Sequence, residues 1–160
     1  MEPYQHILNT IKSEISLGSA IIHVYQPHEI RSGQVGYSVS TTGKPLSGDR
    51  SGDWQKEWLV IGYDGTCGDP LFIDTSKEEY PVYTAMTGKG RWDPIPIAIS
   101  LQGFANALSA VAALAKGREN PAALEQNPIT ISEKNIALAI IRQQNPDIEI
   151  SFWDTLLTEA

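Results

Sequence analysis

The chain has 160 residues, 41% of them hydrophobic and 19% charged, which suits one globular domain (residues 1–160) burying roughly 70% of its unfolded surface. Twelve basic against 19 acidic residues give a net charge of −7 with no Lys/Arg cluster, which argues against nucleic-acid binding and anionic membranes. Cys67 is the single cysteine, which rules out an intramolecular disulfide and a structural zinc site built on cysteines.

The N-terminal segment reads as an amphipathic helix, with Tyr4, Ile7, Leu8, Ile11 and Ile15 at steps of three and four and Gly18 as its stop. Ala20 to Tyr25 is a short, partly β-branched apolar run, consistent with a strand, with continuation of the helix as the alternative. Residues 27–53 form a long polar connection in which Val35 to Thr41 reads as a strand and Thr42 to Pro45 and Ser47 to Asp49 as turns.

Trp58 to Tyr63 is almost continuously apolar, as expected of a central strand covered on both faces. The turn Asp64-Gly65-Thr66-Cys67-Gly68 separates it from a strand at Pro70 to Asp74, and the charged loop Thr75 to Glu79 leads to a third strand at Pro81 to Met86. Short turns at this spacing predict an antiparallel meander, since parallel neighbours need long crossovers. The turn Thr87 to Gly90 leads to Arg91 and Trp92. Ser100 then caps a helix with Leu101, Phe104, Leu108, Val111 and Leu114 on one face. Ser132 is the predicted cap of a second helix carrying Ile136, Ala137, Ile140 and Ile141, which must stop at Asn145-Pro146. Ser151 starts a short last helix with Phe152, Trp153, Leu156 and Leu157. The expected class is α+β: a central antiparallel meander with an N-terminal helix and C-terminal helices packed on the sheet.

No motif for catalysis, cofactor or metal is complete. Asp64, Asp69 and Asp74 suggest a cation loop, but the third, fifth and twelfth positions from Asp64 are Thr66, Gly68 and Thr75, which lack the required ligands. A hairpin turn, in which glycines take positive φ and Asp64 bonds its own backbone, explains the segment. Gly88-Lys89-Gly90 fails as a P-loop, with Tyr83 where glycine is needed and Gly90 where Ser or Thr is needed. Cys67 with His6, His23 or His28 matches no nucleophile signature. Trp54, Trp58, Trp92 and Trp153 either pack the sheet or anchor an interface, and Arg91-Trp92 sits at a turn exit where it can be exposed. Between Asp49 and Glu79 eight acidic residues face three basic ones, a local excess of five negative charges that favours a basic partner or simply keeps the protein soluble.

The middle of the chain resembles the SUKH superfamily, whose name derives partly from yeast cell-wall synthesis regulators. The resemblance rests on Trp-Leu-Val-Ile-Gly-Tyr-Asp-Gly (58–65), Gly-Asp-Pro-Leu-Phe-Ile-Asp (68–74), Pro-Val-Tyr-Thr-Ala-Met (81–86), Trp92 and Ile-Ala-Ile-Ser-Leu-Gln-Gly-Phe (97–104). It covers residues 58–104, while residues 1–57 show no clear match to the family's N-terminal pattern. It implies an α+β domain and, in bacteria, an immunity protein that neutralises a secreted toxin by direct binding in the cytoplasm, without catalytic residues. The expected contact residues for a basic toxin domain are Trp54, Asp64, Asp69, Glu78, Glu79, Arg91 and Trp92. A regulatory scaffold without a toxin partner is the alternative. A small metal-dependent hydrolase using Asp64, Asp69 and Asp74 is the third reading. The N-terminus lacks a basic segment followed by an apolar one, and no window approaches about 18 apolar residues, so a cytoplasmic location is expected.

Overall fold

The computed structural model describes residues 2–160. Six strands form one antiparallel sheet in sequence order: β1 (Glu14–Leu17), β2 (Ala20–Val24), β3 (Trp58–Asp64), β4 (Pro70–Asp74), β5 (Val82–Thr84) and β6 (Ile95–Ala98). Six helices accompany them: α1 (Pro3–Leu8), α2 (Ile30–Gly33), α3 (Leu101–Ala115), α4 (Pro121–Gln126), α5 (Ile131–Gln144) and α6 (Ser151–Thr158). The α+β class and the meander stand as expected. The sheet has twice the predicted three-strand meander, because β1, β2 and β6 extend it on both sides.

The N-terminal helix is a correction. It ends at Leu8, and Ile15 belongs to β1. A step of four residues satisfies a helix, but Ile15 and Leu17 also alternate with Glu14 and Ser16, and the hairpin decides between the two. Gly18 adopts φ +59°, which lets the chain reverse so that Leu17 pairs with Ala20 and Ile15 with Ile22.

One face of the sheet carries the helices. α3 lies against β1 and β6, α5 packs on α3, and α6 packs on α5. The core there holds Ile22, Ile61, Leu71, Ile73, Val82, Ile97, Phe104, Leu108, Ile141 and Trp153. Ser100 caps α3 as expected, its hydroxyl accepting the Gly103 N–H at 2.9 Å. Thr130 rather than Ser132 caps α5, because Glu133 sits three residues on and completes a capping box. On α5, Ala137, Leu138 and Ile141 face inward, whereas Ile136 and Ile140 are exposed.

Buried polar groups tie this layer down. The Asn145 side chain accepts from Ile99 N–H at 3.1 Å and donates to the Gly103 and Ile141 carbonyls, both at 3.1 Å. Trp153 Nε1 donates to the Ile97 carbonyl at 2.8 Å, which helps close the outer edge of β6.

Residues 25–57 cover the opposite face. The strand expected at Val35 to Thr41 is a set of turns, with isolated bridges joining Val39 to Val35 and to Pro45. What fixes this segment is side-chain chemistry. β2 pairs with β3 only from Gly62 to Asp64, and at Val60 the Gln34 amide takes the place of a neighbouring strand. It donates to the Val60 carbonyl at 2.8 Å and accepts the Val60 N–H at 2.9 Å. β3 is therefore covered on both faces, as its apolar run implied.

Candidate functional site

The predicted contact residues fall in three places. Trp54, Arg91 and Trp92 lie on the face covered by residues 25–57. Trp54 belongs to an aromatic layer in which its ring centroid is 4.7 Å from Phe72, 5.2 Å from Tyr37 and from Trp58, and 5.3 Å from Trp92. It is 2% exposed, so it packs the sheet and is not the surface anchor proposed for it. Trp58, placed in the core by its apolar run, is half-buried at the rim of the same layer. Trp92 is half-buried and held by its N–H to the Gly52 carbonyl at 2.8 Å. The exposed Arg91 guanidinium is paired with Asp93 at 2.9 Å.

Asp64 and Asp69 stand together at the β3–β4 turn. Asp64 Oδ1 accepts the Thr66 N–H at 2.9 Å and Gly68 takes φ +78°, so the hairpin reading of this segment holds. Asp69 Oδ1 accepts from Thr87 N–H at 3.1 Å and from its hydroxyl at 3.3 Å, joining the turn to the loop after β5. Glu78 and Glu79 are exposed at the other end of the sheet, in the loop between β4 and β5. The five residues of β4, roughly 16 Å of strand, separate the two pairs. Glu79 and Tyr80 adopt φ +63° and +54°. Their loop is tied to the helix layer by the Leu101 N–H, which donates to the Glu79 carbonyl at 2.9 Å. Among the described residues none of these four carboxylates has a Lys, Arg or His within ion-pair distance.

Asp74 lies at the Glu78 end of β4, where it accepts from Ser76 N–H and hydroxyl and faces Lys77. It therefore does not converge with Asp64 and Asp69 as the hydrolase reading requires, and no group of three His, Cys, Asp or Glu placed to hold a metal occurs among the described residues. The Cys67–His23 combination is not assembled either. His23 sits on the face covered by residues 25–57, stacked on Tyr63 and hydrogen-bonded to Glu29 at 3.1 Å, whereas Cys67 is on the β3–β4 turn. The Gln26 N–H, and then His23, hold the Glu29 carboxyl below its usual range.

The β3–β4 turn forms one wall of a groove of about 500 Å³ that the sequence reading missed. Ala20, Thr84 and Ile95 line its sheet side, Phe152, Thr155 and Leu156 its α6 side, and Cys67 and Met86 its rim. Met86 is 53% and Ile95 43% exposed. Among the described residues, the only charged side chains lining it are Asp64 and Glu159. Cys67 is exposed, but partial desolvation of its sulfur, followed by the nearby Asp69 and Asp64 carboxylates, pushes the thiol up to about 11, so it is neutral near pH 7. Ile95, set between Pro94 and Pro96 in a four-residue strand, was the one local hint of an exposed apolar position. The remaining lining residues run from Ala20 to Glu159 and meet only in the fold.

No family model, curated protein or solved structure matches this chain. No helix among the described residues is long and apolar enough to cross a membrane.

Proposed function

We propose that this chain is a protein-binding domain that engages a basic partner, acting in the cytoplasm as an immunity protein that neutralises a bacterial toxin by direct binding. The observation that carries the reading is the set of four carboxylates, Asp64, Asp69, Glu78 and Glu79, on turns at both ends of the sheet with no Lys, Arg or His within ion-pair distance among the described residues. Carboxylates left unpaired on rigidly mounted turns cost nothing to desolvate until a partner arrives, and they speed the approach of a positive surface. The SUKH-like order of elements over residues 58–104 supports the toxin-neutralising form of this function. A regulatory scaffold uses the same surface chemistry and differs in its partner.

The test is affinity capture from the native host with the intact chain as bait, beside a D64N/D69N/E78Q/E79Q variant. The wild type is expected to retain a basic protein, to abolish that protein's toxicity when the two are co-expressed, and to lose it when the four charges are removed. Capture indifferent to the four charges, or a captured protein whose activity is unchanged by binding, contradicts the reading.

A further inference from the structure

We propose that the groove between β6, the β3–β4 turn and α6 is where the basic partner docks, by inserting an apolar side chain whose Lys or Arg neighbours meet Asp64 and Glu159. This rests on the protein-binding reading above and adds the surface and the contact chemistry. Three features of the groove select the occupant.

The first is its apolar floor. Ile95, Phe152 and Leu156 line it, Met86 and Cys67 border it, and two large apolar residues there are about half exposed. A floor of this kind gains from covering by another apolar group, at about 25 cal/mol per Å² removed from water. The second is the charge at the rim. Both charged lining residues are acidic and neither has a cationic partner among the described residues. An acidic segment is therefore repelled, and an apolar residue with basic neighbours is complementary on both counts. The third is the rigidity of the acidic wall. Asp64 N–H donates to the Asp69 carbonyl at 2.9 Å, Gly68 N–H to the Asp64 carbonyl at 2.7 Å, and Asp69 is bound to Thr87. Little ordering cost remains to be met on docking. The aromatic layer on the other face offers no comparable opening, because its central Trp54 is enclosed.

Two measurements test this, and they fail separately. In the first, the ¹⁵N-labelled protein is titrated with three synthetic peptides of alternating pattern: Lys/Phe/Lys/Leu/Lys, its Glu counterpart, and a Lys/Ser counterpart. The Lys/Phe/Leu peptide is expected to shift the amides of Cys67, Met86, Ile95 and Phe152 saturably, and to bind at least about fivefold more weakly to a D64N/E159Q variant. Equal binding of the Glu peptide, equal binding of the Lys/Ser peptide, or shifts confined to other residues overturns the groove. D64N keeps the oxygen that accepts the Thr66 N–H, so the turn should survive the change. In the second measurement, Met86→Ser/Ile95→Ser replaces the wild type in the capture experiment. Loss of the partner supports the groove. Undiminished capture overturns it while leaving the protein-binding reading intact, and capture of no protein even by wild type overturns that reading on its own terms.

Discussion

The two faces of the sheet are covered by different means. On one face, α3, α5 and α6 lay down apolar stripes of ordinary helical period, and buried polar side chains such as Asn145 and Trp153 close the remaining backbone groups. On the other, a segment with little regular structure lays Tyr37 and Trp54 onto rings carried by the strands and by Trp92, and adds one amide. Trp54, Trp58, Phe72, Tyr37, Tyr83 and Trp92 supply the area, and Gln34 supplies the hydrogen bonds a strand would have made. Covering a sheet requires buried area and satisfied backbone groups, and periodic structure is only one way to provide them.

The comparison breaks first at the large side chains. Phe104→Ala and Trp153→Ala on the helix face are expected to cost about 3–5 kcal/mol each in chemical denaturation. Trp54→Ala on the loop face should cost as much, because Trp54 is just as enclosed. A loss below about 1 kcal/mol for Trp54→Ala would show the loop layer to be loosely attached, and the equivalence of the two faces would fall.

The polar ties sharpen the same comparison at a smaller scale. Asn145→Ala strands the Ile99 N–H and removes a second donor from the Gly103 and Ile141 carbonyls, and Gln34→Ala strands both backbone groups of Val60. Each is expected to lower stability by about 1–3 kcal/mol, the cost of buried groups left without partners. Hydrogen exchange at Ile99 and at Val60 should rise in the matching variant and not in the other. Exchange at Val60 unchanged by Gln34→Ala would mean that the amide is not a strand substitute.

These two faces also separate what was legible in the sequence from what was not. α3 and the β3–β4 hairpin were readable because Ser100, the Leu101 to Leu114 stripe and the Asp64 to Gly68 turn act locally. The break after Leu8 was not, because Ile11 and Ile15 continue a helical spacing and only the hairpin at Gly18 commits Ile15 to a strand. The loop layer was illegible for a related reason: Trp54 is buried by Phe72 and Trp92, which stand 18 and 38 positions away. Of the site, the acidic turn at Asp64 was visible. The groove beside it was not, since its far wall, α6, begins at Ser151.

A smaller effect tests the environment of the groove's rim. The Cys67 thiol is raised from 9.0 to about 11 in the folded protein, so folding favours its neutral form. Its contribution to stability is present below pH 9 and is lost as pH rises towards 11. Alkylation of native Cys67 by iodoacetamide should accelerate up to about pH 11, whereas the unfolded chain should level off near pH 9. The stability difference between wild type and Cys67→Ser should narrow over the same interval. A native alkylation profile that levels off near pH 9 would mean that neither desolvation nor the neighbouring carboxylates hold the thiol neutral.

The most direct test of the functional account is the association rate of the captured partner, measured by surface plasmon resonance at several salt concentrations. Exposed charges mainly steer encounter, and the screening length falls from about 10 Å at 0.1 M to about 3 Å at 1 M. The account predicts an association rate that falls with salt, and one that drops by about threefold or more in D64N/D69N with a flatter salt dependence. The E78Q/E79Q pair, at the far end of β4, should have the smaller effect. An association rate indifferent to salt and to both pairs of substitutions would contradict electrostatic recognition of a basic partner.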